Sequence, residues 1–152
     1  MKLISEIYYK SFRLFYKILG ANLSKNVQLY GSIKIIGSFN NLYIGNDSTI
    51  NYGTLFNCRD IIKIGEKVRI SPYVQFHTGA LNIDPKNRIH YQKKIIVKDN
   101  VWISSGCIIN PGVIIGENSV LLPGSVLNEN MKPNSIYGGV PAKLIKTIYL
   151  NE

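Results

Sequence analysis

From residue 97 to residue 132 the chain repeats every six residues. The units run Val97–Trp102, Ile103–Ile108, Ile109–Ile114, Ile115–Val120, Leu121–Val126 and Leu127–Lys132. Their first positions, Val97, Ile103, Ile109, Ile115, Leu121 and Leu127, are all aliphatic. Their fifth positions, Val101, Cys107, Val113, Ser119, Ser125 and Met131, are small or apolar. A helix needs apolar spacings of three and four, and a simple strand alternates along its whole length, so a strict period of six suits neither. It suits a coiled parallel β-structure in which each unit is one short strand and one tight turn. Three units close a triangular coil, with the first position pointing into the prism and the fifth facing inward near a corner. Glycines at Gly106, Gly112, Gly116 and Gly124 supply turns that need unusual backbone angles.

The same period appears upstream with interruptions. Leu29 and Ile35 are six apart, as are Ile44, Ile50 and Phe56, and then Ile64, Ile70 and Phe76. Ile44 to Ile64 is 20 residues, one 18-residue coil plus a two-residue bulge. The dipeptides Ile44-Gly45, Ile64-Gly65 and Ile115-Gly116 mark equivalent corners. The expected organisation is a single all-β domain: an N-terminal helix within 1–22, a β-helix over 27–132, a loop insertion over 77–94 and a C-terminal cap over 133–152. The helical stripe over 3–19 uses Ile4, Ile7, Tyr8, Phe12, Phe15, Tyr16 and Leu19. The insertion reads as irregular and polar. The cap leaves the repeat through Pro133, Gly138-Gly139 and Pro141 and is expected to end in a short helix over 142–149. An open solenoid end exposes core and unpaired backbone, so caps are a physical need.

The chain has 152 residues, 45% of them hydrophobic, which excludes a wholly disordered polymer. It lacks the ~18 consecutive apolar residues of a membrane span, and Lys2, Glu6, Lys10, Arg13 and Lys17 break the N-terminal apolar stretch, which is not a good signal peptide. Two cysteines, Cys58 and Cys107, make no disulfide framework and read as structural, pointing to a reducing, cytoplasmic setting. The net charge of +9 asks for an acidic partner. The charges are scattered and no zinc-finger or RNP-like motif is present, which speaks against nucleic acid.

Asp99-Asn100-Val101-Trp102-Ile103, Asn110-Pro111-Gly112-Val113-Ile114-Ile115-Gly116 and Gly138-Gly139-Val140-Pro141-Ala142-Lys143-Leu144-Ile145-Lys146 follow one another in the order and spacing of a known family. The chain resembles the hexapeptide-repeat acyltransferases, in the branch of maltose, galactoside and polysaccharide O-acetyltransferases. The resemblance implies a left-handed parallel β-helix, a handedness that the repeat alone does not supply. It implies a homotrimer with acetyl-CoA in a cleft between neighbouring β-helices, no metal, and a loop histidine as general base. A hydroxyl is a poor nucleophile, so removal of its proton by a base within hydrogen-bond reach is a chemical requirement.

The sequence has two histidines, His77 and His90, both in the 77–94 insertion. Loops on a rigid scaffold commonly carry sites. The family's loop reads Thr-x-x-His, whereas here Leu81 occupies that place after Thr78. Counting back from Trp102 instead reaches His77. His77 ranks first as the base and His90 second, with Asp84 as a carboxylate that could orient an imidazole. By resemblance, Trp102 lies near the acceptor, Ser105 and Gly106 near the thioester and pantetheine arm, and Lys143 and Lys146 near the 3′-phosphate of CoA as point charges. Asn128 and Glu129 replace the family's Thr-Lys near the nucleotide.

The leading reading is an acetyl-CoA-dependent O-acetyltransferase acting on a hydroxyl of a sugar, nucleotide sugar or lipid-linked sugar, in surface-polysaccharide or O-antigen assembly. Alternatives are a sugar N-acetyltransferase and a non-catalytic structural trimer. The N-terminal helix, with its aromatic and basic residues, reads as a cap on the solenoid or as a peripheral membrane contact.

Overall fold

A computed structural model describes the backbone of residues 2–149 and the side chains of 9–149. The expectations placed on the side chains of Ile4, Ile7 and Tyr8 lie outside the described residues. Short strands stack into three parallel sheets that form the walls of a triangular prism of about five coils. Face A stacks Asn22–Leu23, Leu42–Ile44, Ile62–Ile64, Ile95–Val97 and Ile114–Ile115. Face B stacks Gln28–Tyr30, Thr49–Asn51, Arg69–Ile70, Trp102–Ile103, Val120–Leu121 and Ser135–Gly139. Face C stacks Lys34–Gly37, Leu55–Cys58, Gln75–His77, Ile108–Ile109 and Val126–Leu127. The solenoid therefore begins at Asn22, five residues before the start expected from the repeat.

The hexad positions explain the interior. Val97, Ile103, Ile109, Ile115, Leu121 and Leu127 are all at most 1% exposed, and the fifth-position residues Val101 to Met131 are also buried. Each first-position residue sits above its counterpart one coil below: Ile64 lies between Ile44 and Val97, and Ile70 between Ile50 and Ile103. On face C this column includes Phe56 and Phe76, fully buried and stacked with centroids 5.0 Å apart and planes 9° from parallel. Buried fifth-position hydroxyls bind the corner backbone. Ser48 Oγ donates to the Gly65 carbonyl at 2.9 Å and accepts the Val68 N–H at 2.9 Å. Cys58 and Cys107 are buried free thiols, and burial pushes Cys58 up to about 12 and raises Cys107.

Turns at the A-to-B corner adopt positive φ at Asp47, Lys67, Asn100, Asn118 and Asn134. Asparagine tolerates this conformation best among residues with a side chain. Here it also links coils, with Asn100 Nδ2 donating to Asn118 Oδ1 at 2.9 Å and Asn118 Nδ2 to Asn134 Oδ1 at 2.8 Å.

The N-terminal helix, Lys2–Ile18, packs against the first coil. Tyr16 is its buried anchor: its hydroxyl donates to the Ile33 carbonyl at 2.7 Å and accepts the Ile33 N–H at 3.2 Å. Tyr9 meets Tyr30 edge to face at 4.7 Å. Phe15 and Leu19, expected on the inner stripe, are exposed, as are Leu14 and Ile18.

Two expectations are corrected. The insertion is an ordered antiparallel hairpin, Gly79–Leu81 against His90–Gln92, rather than irregular chain. Its neck is closed by the Lys93 N–H donating to the Thr78 carbonyl at 2.8 Å. Leu81, Ile83, Ile89 and Tyr91 are exposed on it, so it is less polar at its surface than its charge suggests. The expected C-terminal helix over 142–149 is instead a strand, Ala142–Thr147, antiparallel to Ser135–Gly139. Ser135–Gly139 itself continues face B, with Leu121 opposite Tyr137 and the Tyr137 ring filling the next interior slot. The helix-favouring composition of Ala142–Thr147 yields to that open sheet edge, which offers ladder partners a helix would leave unpaired.

Candidate active site

Strand Gln75–His77 turns Phe76 inward, and so the period of two turns Gln75 and His77 outward on face C. His77 is partly buried, and its Nε2 lies 3.1 Å from Gln75 Oε1. Burial holds its pKa below the ordinary 6.5, so the ring is neutral at pH 7 and can accept a proton. Asn57 pairs with His77 on the neighbouring coil, and its Oδ1 is buried without a hydrogen-bond partner. Thr78, buried below the hairpin, ties this segment down: its Oγ1 donates to the Asn57 carbonyl at 2.6 Å and accepts the Asp60 N–H at 2.9 Å.

His90 is exposed on the second hairpin strand, directly opposite Leu81. Its Nδ1 lies 3.5 Å from Arg59 Nη1. The two imidazoles thus occupy different settings, one on the prism wall and one on the hairpin. Among the described residues, Asp84 makes no hydrogen bond to either imidazole. Its Oδ1 accepts the Lys86 N–H at 2.9 Å, which closes the turn at the hairpin tip. An aspartate beside a proline in a loop is adequately explained by this local bond.

Trp102 stands outward on face B, 51% exposed, and its Nε1 donates to Ser71 Oγ at 3.2 Å. Ser105 and Gly106 form the B-to-C corner of the same coil. Gly106 takes φ +70° and its N–H donates to the Pro72 carbonyl at 3.1 Å, while the Ser105 carbonyl accepts the Gly124 N–H. The Ser105 side chain faces solvent. Lys143 and Lys146 are exposed on the last strand, opposite Gly138 and Ile136 of face B. Lys143 Nζ lies 2.8 Å from Glu129 Oε1. Both partners are more than half exposed, so the pair contributes little to stability. It does hold the ammonium in place.

Within one chain the candidate residues do not converge. His77 is on face C, His90 on the hairpin, Trp102 on face B, Ser105 and Gly106 at a corner, and the lysines at the C-terminal end. Gln75 and Arg59 were not singled out from the sequence. Gln75 was findable, because it alternates outward with His77. Arg59 was not, because its approach to His90 crosses 31 residues of chain. Among the described residues no group of three or more His, Cys, Asp or Glu could hold a metal ion.

Residues 94–129 match the family model described as bacterial transferase hexapeptide (six repeats). A maltose O-acetyltransferase from Clostridium difficile 630 superposes with TM-score 0.85 and 32% identity, covering 93% of this chain and 77% of that one. This chain belongs to the hexapeptide-repeat acyltransferases. A hexapeptide-repeat acetyltransferase of Vibrio cholerae, complexed with acetyl coenzyme A, superposes with TM-score 0.84 and 28% identity, over 92% of this chain and 77% of that one. A putative acetyltransferase of Dictyostelium discoideum is 42% identical over 111 residues, 71% of this chain and 58% of its own length. The chain spans a little over half the length of the curated relatives it matches first. The prism described above is the left-handed parallel β-helix of this family.

Proposed function

We propose that this protein is an acetyl-CoA-dependent O-acetyltransferase that acetylates a sugar hydroxyl in surface-polysaccharide assembly, working as a homotrimer. The observation that carries the reading is the likeness, over nearly the whole chain, to a maltose O-acetyltransferase. The scattering of His77, Trp102, Ser105 and Lys143 over different walls supports the trimer, because juxtaposed copies would bring one chain's histidine to another's corner.

His77 is the base in this reading. The neutral imidazole takes the proton of the acceptor hydroxyl as the oxygen attacks the thioester carbonyl. The tetrahedral intermediate collapses, the C–S bond breaks, and the imidazolium returns its proton to the CoA thiolate. The products are the sugar acetate and CoA thiol. Gln75 fixes the ring's orientation through Nε2. The Gly106 N–H is engaged by Pro72, so the Ser105 hydroxyl is the proposed donor to the oxyanion. Lys143 and Lys146 would meet the CoA phosphates.

The helix supports a location. Tyr16 docks it on the solenoid, while Leu14, Phe15 and Ile18 stay exposed with Lys17 among them. This is the pattern of a helix lying in an anionic membrane surface, where lipid-linked sugars are built. No helix among the described residues is long and apolar enough to cross a membrane.

The test is CoA thiol release with a panel of sugars and nucleotide sugars for wild type, His77→Ala and His90→Ala. Turnover by wild type and His90→Ala with loss in His77→Ala is the expected result. Loss in His90→Ala alone moves the base to the hairpin. No turnover with any acceptor refutes the enzymatic reading.

A further inference from the structure

The B-to-C corner carries a column of left-handed turns. Gly53, Gly106 and Gly124 have φ of +72°, +70° and +66°, and Gly31, one residue earlier on the first coil beneath Tyr52, has φ +113°. In the coil between Gly53 and Gly106 the same place is taken by Tyr73, with φ +61°. Left-handed backbone is unusual for a bulky side chain, and such outliers gather at functional sites. The stacking is direct: the Gly106 N–H donates to the Pro72 carbonyl at 3.1 Å, and the Tyr73 N–H to the Tyr52 carbonyl at 3.2 Å.

The surroundings are shaped to the ring. A Cβ on Gly53 would lie 2.5 Å from Tyr73 Cδ1, and a Cβ on Gly31 would lie 2.9 Å from Tyr52 Cβ. The two glycines thus make room for the two tyrosines one coil above each. Tyr52 and Tyr73 meet edge to face, centroids 5.3 Å apart and 87° between planes. Tyr73 is 59% exposed and Tyr52 48%. Trp102, on face B in the coil above Arg69, is tethered to Ser71, two residues before Tyr73.

We propose that Tyr73 and Tyr52 form a stacking platform for the apolar C–H face of the acceptor sugar. This rests on the acetyltransferase reading, which sets the direction of the cleft. With CoA phosphates at Lys143 and Lys146 and the thioester at Ser105, the acceptor must approach from the far side of Ser105. The next residues down that corner are Pro72 and Tyr73, then Tyr52. A pyranose offers a C–H face to an aromatic ring and hydroxyls to the phenol oxygens, which suits a surface with one apolar and one polar part. A stacking adenine would belong at the opposite, lysine-bearing end.

Tyr73→Asn separates this platform from the fold, because asparagine already holds the left-handed turns at Asn100, Asn118 and Asn134. The probes are methyl β-D-galactopyranoside and maltose. The expected result is an acceptor KM raised about tenfold, an unchanged KM for acetyl-CoA, and unchanged melting temperature and oligomeric mass. Tyr73→Phe should restore most of the acceptor affinity. An acceptor KM unchanged in Tyr73→Asn, or a variant that instead changes oligomeric mass, overturns the platform while leaving the acetyltransferase reading intact. Saturation-transfer NMR of the two sugars without acetyl-CoA reads the platform even if no turnover is found. Transfer to the ring C–H protons that disappears in Tyr73→Asn supports it, and transfer absent from wild type or equal in both overturns it.

Discussion

The stacked phenylalanines offer a quantitative test of how coils hold together. Phe56 and Phe76 are Cα partners on successive coils of face C, both fully buried, with rings 5.0 Å apart. Truncating a buried phenylalanine to alanine costs about 3–5 kcal/mol, the lost transfer energy plus the cavity left behind. A stacked aromatic pair adds about 0.5–1.5 kcal/mol beyond its buried area. Phe56→Ala and Phe76→Ala should therefore each destabilise by about 4 kcal/mol. The double variant should fall short of the sum by about 1 kcal/mol, because the first truncation already removes the stacking. With an m value of about 2 kcal/mol/M in urea, each single change lowers the midpoint by about 2 M. Unfolding should be followed by the fluorescence of Trp102, the only tryptophan in the sequence, and by circular dichroism. Several protein concentrations are needed, since an oligomer's stability depends on concentration. Single effects below about 1 kcal/mol, or additivity within about 0.3 kcal/mol, would refute the claim that these rings couple adjacent coils.

Five further outcomes are expected. The acid limb of kcat/KM should have its midpoint below 6.5, because burial lowers the pKa of His77 and keeps the base form to lower pH; a midpoint above 6.5 would exclude His77. By the same shift the unfolded chain binds more protons than the native one as pH falls through 6.5, so stability should decline there, and His77→Gln should flatten that decline in pH-dependent denaturation. Thr78→Val should cost about 1–3 kcal/mol, since the Asp60 N–H loses its side-chain acceptor and the Asn57 carbonyl one donor. Calorimetry checks this. Cys58 and Cys107 should resist a thiol reagent in the native protein and both react in denaturant; fast native labelling would contradict their burial. Sedimentation with anionic vesicles should fall for Phe15→Glu with Ile18→Glu, and wild type left in the supernatant would remove the membrane contact.

The prism was legible because each first-position slot of its interior takes a buried apolar side chain. Val97 to Leu127 keep a strict six-residue beat, and each is buried where that beat places it. The ends and the interruption were not, because they answer to distant partners. Ala142–Thr147 reads as helix locally and becomes strand because Ser135–Gly139 leaves an edge beside it. Tyr137 stays in the interior column although it lies 16 residues after Leu121 rather than 18, which hides it from a strict count. The hairpin's register, Leu81 against His90, depends on pairing across a nine-residue separation with no tight-turn signature. The site splits the same way. The place of His77 on the wall was countable, and its outward direction follows from Phe76. The place of Tyr73 was countable, three residues after Ile70 as Gly53, Gly106 and Gly124 follow Ile50, Ile103 and Leu121, but its left-handed φ and its seat over Gly53 were not.

The hairpin enters and leaves the wall at one point. Lys93 bonds to Thr78 across its neck, and Ile95–Val97 resumes directly on Ile62–Ile64 as though nothing intervened. The rod does not register what lies between. Lengthening such an excursion costs only about 0.6 kcal/mol per doubling, so its tip can be exchanged without renegotiating the core. The scaffold and the segment that bears His90 are in that sense separable inheritances, and two chains with the same rod could read quite different molecules.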